Sequence, residues 1–101
     1  MNYKSTNIER DTKLIKRYLD ISKPSGVKDI KFKLRPTGDK DEYYMSITYL
    51  LPDGSEYLNL SKEHIRYEWN TQIVKDVRNY FGLLLIISNT EIRNEKFNYG
   101  E

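Results

Sequence analysis

Between residues 29 and 60 the chain alternates apolar and polar residues through two successive runs joined by a Pro-Asp-Gly-Ser turn. Nothing else in the sequence restricts the fold as much, because successive side chains of a strand point to opposite faces. Ile30, Phe32 and Leu34 share one face of a first strand, with Lys31, Lys33 and Arg35 on the other. Pro36-Thr37-Gly38-Asp39 turns the chain through a polar tip. A second strand, from about Tyr43 to Leu51, sets Tyr43, Met45, Ile47, Tyr49 and Leu51 on one side and Tyr44, Ser46, Thr48 and Leu50 on the other. Two connections compete at Pro52-Asp53-Gly54-Ser55. A two-residue Asp53-Gly54 loop, whose residues tolerate positive φ, sets Leu51 opposite Glu56, Tyr49 opposite Leu58 and Ile47 opposite Leu60. A three-residue loop pairs Ile47 with Asn59 instead. A slip of one residue moves every side chain to the other face, so the apolar pattern predicts the two-residue loop.

Helical spacing flanks this meander. Thr6-Asn7-Ile8-Glu9 has the form of a capping box, and Ile8, Ile15, Tyr18 and Leu19 follow at helical intervals until Lys23-Pro24-Ser25-Gly26 ends the run. A second helix, capped at Ser61 or restarted at Asn70-Thr71, places Ile65, Trp69, Ile73, Val77 and Phe81 four apart, with Val74 alongside and Gly82 as terminator. Leu83 to Ile87 is apolar at every position and reads as a strand buried on both faces, with a short buried helix as the alternative. Residues 89–101, including Ile92 to Tyr99, read as an edge strand or a tail. The expected fold is one α+β domain over residues 1–101, in the order α-β-β-β-α-β, with both helices on one face of a mainly antiparallel sheet.

With 101 residues there is room for one core. The absence of cysteine removes disulfides, thiolate metal sites and cysteine nucleophiles, and the single histidine, His64, removes a multi-histidine metal site within one chain. The amino terminus is polar, and the longest apolar run, Leu83 to Ile87, is far shorter than the roughly 20 residues of a membrane-spanning helix, so a cytoplasmic protein without membrane contact is expected. Charge is uneven: residues 1–40 hold eleven Lys/Arg and five Asp/Glu, residues 41–101 six and ten. Such asymmetry suits an acidic partner, although solvated surface has the same composition.

Catalytic constellations are thin. Ser61, Glu63 and His64 are neighbours at a helix start, a spacing that does not orient a base between a nucleophile and a third group. Asp29, Lys31 and Asp53 have the residue types of a metal-dependent nuclease, but the order is reversed and the turn accounts for Asp53. Asp39, Asp41 and Glu42 lack the further ligands of a calcium loop and suit a solvated hairpin tip. No glycine-rich phosphate cradle occurs. The expectation is a protein that is not an enzyme and carries no cofactor or metal.

Thirteen aromatic residues, nine of them tyrosine, are many for so polar a chain. Tyrosine offers large contact area with few rotors to freeze, which suits interfaces. Tyr49 and Trp69 are assigned to the core. On the other face of the meander, Tyr44, Leu50 and Tyr57 beside Lys31, Lys33 and Arg35 form the candidate binding surface, unless a helix or tail covers them. A strand at Leu83 to Ile87 that is apolar on both faces also predicts a homodimer, through that strand or the adjacent sheet face.

The Thr6–Glu9 helix start, the meander around Pro52-Asp53-Gly54-Ser55 and the Ile65–Phe81 helix resemble the organisation of small phage-encoded anti-CRISPR proteins that inhibit Cas9. Size, lack of cysteine and a Lys/Asn/Tyr-rich composition are similar too. Residues 1–40 depart from that family's strongly acidic, DNA-imitating surface. The resemblance implies a non-catalytic inhibitor or adaptor that binds a host protein or nucleoprotein complex. The element order over residues 8–81 is also similar to that of the double-stranded-RNA-binding domain, which implies nucleic acid as the alternative partner. That family's lysine cluster is reduced here to Lys75 in Asn70-Thr71-Gln72-Ile73-Val74-Lys75-Asp76. A toxin-neutralising immunity protein would use the same physics.

Overall fold

The computed structural model describes residues 7–58, 64–88 and 91–92. Helix α1 (Ile8–Ser22) is followed by strands β1 (Asp29–Pro36), β2 (Glu42–Leu50) and β3 (Glu56–Leu58), helix α2 (His64–Phe81) and strand β4 (Leu84–Ile87). The α+β order read from the periodicities is the observed one.

Asn7, rather than Thr6, caps α1: its Oδ1 accepts from the Arg10 backbone amide at 3.0 Å. Thr6 lies outside the described residues. Helix α2 runs through Asn70 and Thr71 without a restart and stops at Gly82, whose amide reaches the Arg78 carbonyl at 3.0 Å with φ at +71°. That left-handed terminus is the one glycine adopts without strain.

Strand β2 is the centre of the sheet. It pairs antiparallel with β1 along nearly its whole length, from Asp29↔Leu50 to Pro36↔Tyr43. Both remaining strands share its other edge. β3 pairs antiparallel with one end (Thr48↔Leu58, Tyr49↔Tyr57, Leu50↔Glu56), and β4 pairs parallel with the other (Glu42↔Leu84 to Met45↔Ile87). The two short strands run toward each other, and Glu91 lies on the face away from the helices, where it meets Lys33 at 3.5 Å.

The turn between β2 and β3 corrects the expected register. Leu51 pairs with Ser55 across a three-residue loop: the Leu51 amide donates to the Ser55 carbonyl, and the Gly54 amide to the Leu51 carbonyl, each at 2.9 Å. A two-residue loop needs positive φ at Asp53 as well as Gly54; only Gly54, at +91°, has it. Pro52 suits the first corner of an ordinary turn, and Asp53 Oδ1 accepts from the Ser55 hydroxyl (2.6 Å) and amide (2.9 Å). These bonds hold the Asp53 carboxyl below its ordinary pKa. The expected Ile47–Leu60 pair falls outside the described residues.

Both helices lie on one face of the sheet. Phe32, Leu34, Tyr43, Met45, Ile47 and Tyr49 meet Ile15 and Leu19 of α1 and Ile73 and Val77 of α2, all buried. The outer edge of β1 is blunted against further pairing. The Thr37 amide bonds the Glu42 carbonyl, so odd-numbered residues of β1 face β2 and even-numbered ones face outward. Of the outward amides, that of Ile30 is taken by Asp29 Oδ1 at 2.9 Å, and Pro36 has none.

Candidate interaction surface

The sheet face away from the helices carries the row expected from the sequence. Lys31, Lys33 and Arg35 stand beside Thr48, Ser46 and Tyr44 respectively. The parallel pairing then extends the last row to β4, giving Arg35, Tyr44 and Ile86 side by side, with Glu42 and Leu84 in the next row. The Arg35 guanidinium lies over the Tyr44 ring, 5.1 Å from its centroid, a cation–π contact of roughly 0.5–1 kcal/mol at an exposed site.

The face has two unlike ends. At one, a groove of about 220 Å³ is lined by Lys31, Lys33, Ser46, Thr48, Glu56 and Glu91. Glu56 meets Lys31 at 3.8 Å, Glu91 meets Lys33, and Ser46 is buried. Ile92 is buried as well, outside the core cluster. At the other end, Leu84 and Ile86 remain 36% and 37% exposed beside half-buried Tyr44. The run from Leu83 to Ile87 is therefore covered on one face only, not on both: Leu83 and Leu85 are buried, and Leu84 and Ile86 are not.

The candidate residues are not brought together as expected. Tyr44 and Leu50 are six residues apart on β2, about 20 Å at the rise of a strand, so they belong to opposite ends of the face. Tyr57 is not on this face: the three-residue loop pairs it with Tyr49, which points into the core. Leu84, Ile86, Glu56 and Glu91 escaped the sequence reading. A run apolar at every position carries no parity signal, and the two ion pairs join residues 25 and 58 positions apart. The uneven charge of the chain is partly cancelled on folding, since Lys31 and Lys33 on this face meet Glu56 and Glu91.

No protein family, curated protein or solved structure matches the chain.

The remaining constellations resolve into local structure. Asp29 and Asp53 are each turned to their own chain, toward Ile30 and Ser55. Ser61, Glu63 and the His64 side chain lie outside the described residues. Among the described residues no three His, Cys, Asp or Glu side chains are placed to share a metal ion, and no helix is long and apolar enough to cross a membrane. Tyr49 and Trp69 are core partners as expected, with ring centroids 4.9 Å apart.

Proposed function

We propose that the protein acts without catalysis, as a small inhibitor or adaptor that occupies a surface of a macromolecular partner through the open face of its sheet. The observation that carries this reading is the row Arg35, Tyr44 and Ile86: a cation stacked on an aromatic ring, with aliphatic side chains beside it, on a face that neither helix covers. Tyrosine and arginine are the residue types that most often anchor protein interfaces. A protein target is favoured over nucleic acid because phosphates would compete with Glu56 and Glu91 for Lys31 and Lys33. Inhibition of a host protein or nucleoprotein complex, as in the anti-CRISPR proteins whose organisation the chain resembles, fits a surface of this kind.

The test is affinity purification from the native host, followed by binding of wild type, Tyr44→Ala and Lys33→Ala to the recovered protein, duplex DNA and duplex RNA across a salt series. For a protein partner, Tyr44→Ala weakens binding by about 1–3 kcal/mol, and Lys33→Ala chiefly slows association. Tight nucleic-acid binding whose salt slope falls by roughly 1 in Lys33→Ala, with Tyr44→Ala neutral, would establish the opposite.

A further inference from the structure

We infer that the apolar end of the open face, Tyr44 with Leu84 and Ile86, is covered by a second copy of this chain, in a two-fold contact that sets Arg35 of each copy against Glu42 of the other. The inference rests on reading the open face as an interface and names the occupant of one end of it.

The two ends of the face differ in how far the chain satisfies itself. At the polar end Lys31 and Lys33 have their own carboxylates, and Ser46 is already buried. At the apolar end β4 leaves alternate aliphatic side chains exposed because both helices are on the other side. Among the described residues neither Arg35 nor Glu42 has an ionic partner, and the two flank the apolar residues with opposite charge. A patch with one cation and one anion at its borders is complementary to itself, which is the requirement of an isologous contact.

The register gives the geometry. Arg35, Tyr44 and Ile86 lie across β1, β2 and β4 in one row, and Glu42 and Leu84 lie in the next row of β2 and β4. Strands are about 4.8 Å apart and same-face residues about 6.8 Å apart along a strand. On that grid, the line that exchanges Arg35 with Glu42 runs between Tyr44 and Ile86. A two-fold axis along it buries these two side chains against their own copies and forms the Arg35–Glu42 pair twice. The strands of the two sheets then cross steeply, as in orthogonal sheet packing. The contact is smaller than a whole sheet face, so dissociation in the micromolar range is expected rather than an obligate dimer. A foreign partner at the same residues would displace the second copy.

Sedimentation equilibrium of the full chain, from about 5 μM to about 500 μM, spans that range of affinity. The mass is expected to rise from monomer to dimer. Ile86→Lys should raise the dissociation constant more than about tenfold, with an unfolding midpoint unchanged at concentrations where wild type is monomeric, since the side chain is exposed in the monomer. Arg35→Glu and Glu42→Arg should each weaken association about tenfold, and the double substitution should return it to within about threefold of wild type. A monomer at every concentration overturns the inference, leaving the face to residues 93–101 or to a foreign partner. So does association that ignores Ile86→Lys, or a double variant no better than the singles. The two readings fail separately: a wild-type monomer that binds its target through Tyr44 removes only the dimer. A dimer sensitive to Ile86→Lys, whose monomeric variant binds the target unchanged, removes the apolar end from the target site.

Discussion

Tyr43 and Tyr44 are neighbours in sequence and have opposite fates. Tyr43 faces the helices, fully buried, and its hydroxyl donates to Asp11 Oδ2 of α1 at 2.6 Å. Tyr49, on the same face of β2, donates to Asn70 Oδ1 of α2 at 2.6 Å, and Tyr18 of α1 donates to Asp76 Oδ2 of α2 at the same distance. These three tyrosines tie each helix to the central strand and the helices to each other. Tyr44 keeps part of its ring in water and carries Arg35. The difference shows that residue type does not assign a tyrosine to core or interface; its parity along the strand does, together with which face the helices take.

The largest signature of this division is alkaline. Burial raises the pKa of Tyr18, Tyr43 and Tyr49 well above 10.0, with the carboxylates of Asp76 and Asp11 adding to the shift for the first two. The native state thus holds their protons while the unfolded chain releases them. Stability contributed below pH 10 is lost as pH rises, by about 1.4 kcal/mol per pH unit for each group and about 4 for all three. Urea unfolding above pH 10 reads this slope, and Tyr43→Phe should lower it by about a third. A slope unaffected by that substitution would break the comparison.

Near neutral pH, Tyr43→Phe should cost about 2 kcal/mol in the unfolding free energy, because it leaves the buried Asp11 carboxylate one donor short. Tyr49→Phe, which removes a bond to a neutral amide, should cost about 1 kcal/mol. Tyr44→Phe keeps the ring under Arg35 and should change stability by less than about 0.5 kcal/mol. An equal cost for Tyr43→Phe and Tyr44→Phe in urea titrations would mean that the two faces are not energetically distinct.

Much of the fold was legible because its signals are local. Period two over Ile30–Arg35 and Tyr43–Leu51, and helical period over Ile8–Leu19 and Trp69–Phe81, identify elements without knowledge of their neighbours. The β2–β3 register was missed by one residue because the apolar alternation, with an Asp53-Gly54 pair that tolerates positive φ, favours a two-residue loop. Pro52 and the Asp53–Ser55 bonds select the longer one. That single residue took Tyr57 out of the candidate surface. Placing β4 beside β2 was beyond a sequence reading, since nothing in Leu84–Ile87 names its partner strand. With it went Leu84, Ile86 and the row they complete.

The shared edge of β2 has a consequence for the order in which the domain assembles. β1, β2 and β3 pair across short connections, whereas β4 pairs with residues 42 positions earlier and only after α2 has crossed the sheet. Long closures form late, and a four-residue strand is a small cooperative unit. The amides of Leu84 and Ser88, bonded to Asp41 and Met45, should therefore exchange with solvent through openings that leave the β1–β2 hairpin intact. The apolar end of the open face does not exist until that strand is seated. Whatever binds there selects the completed fold and adds its binding free energy to the hold of the last strand on the sheet.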